Sequence, residues 1–252
     1  MIDVLIVTYN SAKTLDTCLK CIKREIPYNR ILVGDGGSQD DTVKIARSHG
    51  AEVYMFTGKD NMIGRIRCRL AKIAETDWLL YVDSDVYLLP GWWKYMSKYM
   101  APKVGMAMAA GQIKGVLKRY HLWRIRKYGF VTFGNTLVPR NLLLSFKEMD
   151  DMHVGEDTAY AKYCRRKGYL VIPVTKQLVY HDKKEGLVSA YRRWGRDMRH
   201  RATLLKFMIR SVVHLKNTFL FTIEERATPQ EIAELLKLYF EMCRGYLEGR
   251  KT

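Results

Sequence analysis

The chain has 252 residues, enough for one α/β domain with an extension, and contains no run of the ~18 apolar residues that a membrane-spanning helix needs. Its formal net charge of +17 and pI near 9.7 exclude a basic partner and leave three acidic ones open: nucleic acid, a phosphorylated small molecule and an anionic membrane. Five cysteines, an odd number, argue against a disulfide framework and for a reducing compartment; Cys18 and Cys21 form a C-x-x-C with no second pair, inside a helical pattern.

Short apolar runs at 2–7, 30–33, 52–56 and 78–82 alternate with helical patterns at 11–24, 40–49 and 61–74, the signature of parallel βαβ units. The first run begins at once, so no signal sequence is expected. Pro90 opens a helix with Trp92, Trp93 and Met96 on its apolar face. Residues 104–138 read as irregular strands around a basic loop, 156–167 as a helix, and 169–174 and 177–180 as strands. From 187 the pattern is mostly helical, broken at Ala227-Thr228-Pro229, with a last helix at 230–247.

In parallel sheets the crevice at the strands' carboxyl ends is where ligands bind, and three polar segments fall there. Asp83-Ser84-Asp85 follows the apolar strand 78–82; residues two apart share a strand face, so both carboxylates point together as oxygen ligands for Mg²⁺ or Mn²⁺. Thr8-Tyr9-Asn10 follows the first strand. Gly34-Asp35-Gly36-Gly37-Ser38-Gln39 follows the second; it lacks the last glycine of G-x-G-x-x-G, and the chain has no P-loop motif. Asp35 is placed to accept hydrogen bonds from a base or ribose, and Ser38 or Asp40 to cap the next helix.

Together these segments resemble family 2 glycosyltransferases of the GT-A fold. The match runs from Val4-Leu5-Ile6-Val7-Thr8-Tyr9-Asn10 through Asp35-Gly36-Gly37-Ser38-Gln39-Asp40-Asp41-Thr42 and Arg67 to Asp83-Ser84-Asp85. It continues with Phe133-Gly134-Asn135, Arg140, Gly155-Glu156-Asp157 and His181, so that about the first 195 residues follow the family's order. The resemblance implies an α/β fold with a mixed, mostly parallel, Rossmann-like sheet flanked by helices. It implies that Thr8, Asp35 and Arg67 cradle the nucleotide beside Tyr9, Asn10, Arg65 and Ser84, and that Asp83 contacts ribose or metal. Asp85 and His181 would bind Mn²⁺ or Mg²⁺, Asp157 would be the catalytic base with Glu156 as its neighbour, and Gly134 and Asn135 would lie on the acceptor side. Many members carry two adjacent acids where this chain has Asp35-Gly36, which leaves the base open between GDP-mannose and a UDP-hexose. Tyr191-Arg192-Arg193-Trp194 is similar to the Q-x-x-R-W motif of processive members, with Arg193 and Trp194 on the acceptor side, but Ala190 replaces the glutamine; single-sugar addition follows.

Charge explains the expected chemistry. Negative charge grows on the departing diphosphate, where a divalent ion and Arg65 and Arg67 neutralise it. A hydroxyl acceptor needs a positioned base, whereas a lipid phosphate is already ionised; Asp157 therefore favours a hydroxyl, such as a sugar on a lipid carrier, over a polyprenyl phosphate. The basic loop holds Lys114, Lys118, Arg119, Arg124, Arg126 and Lys127 with Tyr120, Trp123 and Tyr128. Residues 183–216 hold ten basic residues, with Leu205, Met208, Ile209, Val212 and Leu215 at helical spacing, a pattern suited to an anionic bilayer surface. The expected organisation is a catalytic domain over 1–185, with a nucleotide half at about 1–100 and an acceptor half at about 101–185, and a helical, membrane-interface extension over 186–252. The expected location is the cytoplasmic face of a membrane. A nucleotidyltransferase is disfavoured because no glycine-rich basic loop follows the first strand, and a nucleic-acid-binding protein because it leaves the ordered acids unexplained.

Overall fold

The computed structural model describes residues 1–112, 117–152, 155–182, 191–192, 195–196 and 204–248. They divide into two compact units, 1–112 with 124–182 and 113–123 with 183–252. Residues 113–123 thus group with the C-terminal segment.

The first unit is built on strands β1 (Ile2–Thr8), β2 (Tyr28–Asp35), β3 (Glu52–Met55), β4 (Trp78–Val82), β5 (Val86–Leu88), β6 (Val104–Gln112), β7 (Asn135–Pro139) and β8 (Leu170–His181). Helices α1 (Ala12–Glu25), α2 (Thr42–Ser48) and α3 (Ile63–Ile73) connect β1 to β4, and these four strands are parallel neighbours in the order β3-β2-β1-β4. The amphipathic helix α1 buries Leu15, Cys18, Leu19 and Ile22, which join Ile2, Val4, Ile6 and Val33 of the sheet in one core. Both Cys18 and Cys21 lie buried as free thiols on this helix. Gly34 in β2 allows α3 to approach closely: a Cβ there would stand 2.3 Å from Ile66.

Beyond β4 the order continues β7-β6-β8-β5, with β7 antiparallel to β4 and β6, and β5 antiparallel to β8. The strand β5 was not expected from the sequence, and its position decides the shape of the sheet. Four flat inter-strand spacings would separate β4 from β5 by roughly 19 Å. Yet only residues 83–85 join them, and four residue steps span at most about 14 Å. The sheet therefore curls until its β4 and β5 segments meet at Asp83-Ser84-Asp85.

Helices α4 (Trp92–Met96), α6 (Arg140–Ser145) and α7 (Glu156–Arg166) complete this unit. The expected pair of late strands is one strand, β8, whose pairing with β6 slips in register near Gln177. A further correction concerns the basic loop: residues 117–128 form a helix, α5 (Leu117–Tyr128). Its aromatic residues recur at helical spacing, and Tyr120 and Trp123 are buried. Lys114 lies outside the described residues.

In the second unit, α8 (Leu204–Glu224) and α9 (Pro229–Glu248) form a pair. Tyr120, Trp123, Phe221 and Leu235 make its small core, and Arg119 closes an ion pair with Glu231. Thr228 and Glu231 bond each other's backbone N–H at the start of α9, a capping box.

Candidate functional site

The carboxyl ends of β1, β2 and β4 meet at one edge, and each contributes a loop of chemistry-bearing residues. Asp35 ends β2 fully buried. Its Oδ1 accepts the backbone N–H groups of Gly37 and Ser38 at 3.0 and 2.7 Å, and its Oδ2 accepts the hydroxyls of Thr8 and Ser38 at 2.7 and 2.6 Å. A carboxylate has about four lone-pair sites, and all four are used. Thr8 is only 2 % exposed and spends its hydroxyl on this bond. Thr8 and Asp35 thus form the internal frame that holds the loop. Tyr9, 62 % exposed, and Asn10, in the left-handed region at φ 46°, are the surface of the same loop. Asn10 accepts the Gln39 N–H and donates its own N–H to Ser38, tying the two strand ends together. The N-cap of α2 is Asp41, which makes no side-chain cap bond, in place of the expected Ser38 or Asp40; Asp40, one residue earlier, accepts the N–H and hydroxyl of Thr42 and the N–H of Ala12.

Asn61 was not singled out in the sequence. Its Nδ2 donates to the Gly36 carbonyl at 2.7 Å, and its Oδ1 lies 2.5 Å from where a Cβ on residue 36 would sit. A carbonyl only accepts, so the amide nitrogen must face Gly36; among the described residues Oδ1 accepts nothing. The glycine at 36, in the place of the second acid, was the signal that a neighbour would occupy this space.

Arg67, on α3, is 4 % exposed. Its guanidinium bonds Glu156 and, at 3.1 Å, Asp83, and lies 4.8 Å over the ring of Phe133. A buried cation thus binds the Asp83 turn to the start of α7. Arg65 is held by the carbonyls of Lys59 and Asp150 and by Asp151. Glu156 is buried, and burial pushes its carboxyl above the usual carboxylate range while Arg67 pulls the other way. Asp157 is half-buried; desolvation raises its carboxyl too, against the stabilising N–H of Thr158.

The Asp83 turn is fixed from several sides. Its N–H donates to Gly134 O at 3.0 Å, and a Cβ on Gly134 would stand 3.2 Å from Asp83 Oδ2. Ser84 meets Ser11 at 2.9 Å. Pairing of Val86 with His181 across β5 and β8 brings His181 Nε2 to 3.1 Å from Asp85 Oδ1, over 96 residues of sequence. Asp182 N–H bonds the Asp85 carbonyl and its carboxylate accepts the Tyr87 hydroxyl, which fixes this corner. Asp85 and His181 are each about a quarter exposed, at 26 % and 28 %. Among the described residues no three His, Cys, Asp or Glu side chains converge as a metal cage. The Asn135 amide is buried, bonding both backbone groups of Ala109 and the Trp92 indole. It replaces ladder bonds between β6 and β7. Arg193 and Trp194 lie outside the described residues.

Residues 3–151 match the family model for glycosyl transferase family 2. A 92-residue segment is 36 % identical to the 4,4'-diaponeurosporenoate glycosyltransferase of Staphylococcus haemolyticus, covering 34 % of this chain and 24 % of that protein, so the chain spans about a quarter of that relative's length. Glucosyl-3-phosphoglycerate synthase from Mycobacterium tuberculosis, solved with Mn²⁺, UDP and glucosyl-3-phosphoglycerate, superposes with a TM-score of 0.56 at 17 % identity over 75 % of this chain and 74 % of that one. The same enzyme solved with Mg²⁺ and UDP gives a TM-score of 0.57 at 18 % identity, over 76 % and 74 % of the two chains. These neighbours share the curled α/β sheet of the GT-A glycosyltransferases. The family model covers more than half of the sequence, and the chain belongs to glycosyl transferase family 2.

Proposed function

We propose that this glycosyltransferase moves a single hexose from a nucleoside diphosphate sugar to a hydroxyl of a lipid-linked glycan at the cytoplasmic face of a membrane, with Mn²⁺ or Mg²⁺ as cofactor. The observation that carries the reading is the juxtaposition of Asp85 with His181 beside the Asp83–Arg67–Glu156 chain. The Asp85 carboxylate and the His181 imidazole, 3.1 Å apart, are ligand types that suit a divalent ion, and such ions take substrate phosphates as further ligands. The neighbours bind UDP with Mn²⁺ or Mg²⁺, in keeping with this donor class. When bound, the ion acts as a Lewis acid that stabilises the leaving diphosphate.

The chain's own residues supply the rest. Tyr9 offers an exposed ring for stacking a base, and Asn61 Oδ1 offers an acceptor to a ring N–H such as uracil or guanine carries. Arg67 fixes the Asp83 carboxylate, which would contact the ribose or the ion. Asp157 takes the proton of the acceptor hydroxyl as its oxygen bonds the anomeric carbon and the bond to the diphosphate oxygen breaks, with inversion. Burial suits it for this: a raised carboxyl is a better base. The relatives name different acceptors, phosphoglycerate and diaponeurosporenoate, so the acceptor class rests on the presence of this base.

Thermal-shift titration with UDP- and GDP-sugars, with and without Mn²⁺, tests the donor. A metal-dependent rise for one base, lost in Asp85→Ala, is expected; no rise for any nucleotide sinks the reading. Turnover that survives Asp157→Asn would instead point to an already ionised acceptor such as a polyprenyl phosphate.

A further inference from the structure

Helix α8 packs through Ser211, His214, Thr218 and Phe221, with His214 stacked 5.8 Å from Tyr239 of α9. Its opposite side carries Leu205, Met208, Val212, Leu215, Phe219 and Ile223, spaced three or four residues apart and between 40 % and 66 % exposed. Spacing of this kind aligns them in one row along the helix. A soluble surface scatters single apolar residues; a continuous row of large ones marks an interaction face.

Charge selects the occupant. The helix holds Lys206, Arg210 and Lys216 against one acid, its last residue Glu224, whose carboxylate accepts the Trp123 indole N–H, in a chain of net charge +17. A second copy would bring the same sign to the same face and repel. An anionic lipid surface supplies both an apolar layer for the row and a charge opposite to that of the helix's basic residues. No helix among the described residues is long and apolar enough to cross a bilayer, so the element would lie along the interface.

We infer that the exposed face of α8 binds the interface of an anionic lipid bilayer. The inference deepens the proposed function, because a lipid-linked acceptor is presented at that surface, but it stands on different residues. Co-sedimentation of the full chain with phosphatidylcholine vesicles, and with vesicles in which about a third of the lipid is phosphatidylserine, tests it. Binding to the anionic vesicles at least ~10-fold tighter than to the neutral ones, weakened by salt, is expected. The triple variant Leu205→Ser, Val212→Ser, Phe219→Ser should lose binding by ~100-fold or more. Arg210→Gln with Lys216→Gln should remove most of the preference for anionic lipid. Wild-type protein that stays in solution with anionic vesicles overturns the inference, as does a triple variant that binds undiminished. So does a wild-type dimer, seen by light scattering, that becomes monomeric in the triple variant without vesicle binding in either: the row is then a self-interface. Nucleotide thermal shifts on the same samples separate the two claims: vesicle binding without a nucleotide shift sinks the donor reading and leaves the surface standing.

Discussion

The two units invert the usual sorting of polar and apolar groups. The sheet unit buries Asp35, Arg67, Glu156 and Asn135, whereas the helical unit leaves a row of large apolar side chains in the open. Both arrangements cost stability in isolation, and each is offset differently. Asp35 is satisfied by its own loop, Asn135 by Ala109 and Trp92, and Arg67 bonds Glu156 and Asp83 while its Nε has no partner among the described residues; these bonds hold the crevice geometry in place. The apolar row has no such internal partner among the described residues, so what would offset its exposure is an external surface.

Asp157→Asn should show the largest effect: turnover about 10² to 10⁴-fold lower, with donor binding unchanged, in a radiolabelled or coupled transfer assay. Its stability should move the opposite way. Burial raises the Asp157 carboxyl, so the fold holds that proton more tightly than the unfolded chain. Stability from this group is then present below the unfolded value of about 3.9 and lost as pH rises through the raised folded value. The asparagine escapes that loss, and its melting temperature at neutral pH should exceed the wild type's. For the same reason the acid limb of the wild-type kcat/KM profile should lie above the ordinary aspartate value.

Arg67→Met sharpens the contrast between the units. It strands Glu156 and Asp83 without their cation and should cost about 3–5 kcal/mol in urea unfolding. A serine in the exposed row of α8 should change the same measurement by no more than about 0.5 kcal/mol. Asp35→Asn comes next: an amide offers donors where the loop already presents four, so the melt should reveal a loss of about 1–3 kcal/mol. Among the crevice variants Asn61→Ala should have the smallest effect. It should weaken binding of the preferred nucleotide about three- to tenfold and flatten the ranking of bases, while the melt of the free protein stays near wild type.

Much of the first hundred residues was legible because parallel strands leave period and punctuation in the sequence. The predicted runs at 2–7 and 78–82 correspond to β1 and β4, within a residue at each end. The short strand β5 was not legible: it owes its existence to pairing with β8, about 90 residues away. The basic segment 117–128 was misread as a loop because its charge hid a helical repeat whose buried partners, Phe221 and Leu235, lie over 90 residues further on. Site residues divided in the same way. The motifs located Thr8, Asp35, Arg67 and Asn135 at the crevice, but motif position carries no information on burial, and all four are buried. Asn61 escaped notice because one asparagine ahead of a helix looks like any other.

By itself the sequence determined the βαβ alternation, the three acidic and polar segments at strand ends and the family. All of these are local, since the period of the apolar residues and the order of short motifs require no knowledge of distant partners. Tertiary structure alone decided which carboxylates face outward and which are bonded internally, that the sheet curls to bring His181 to Asp85, and that among the described residues one face of α8 stays uncovered. Each of these is a question of what lies opposite a side chain in space, and that is settled by closure of the sheet and packing of helices, not by neighbours along the chain.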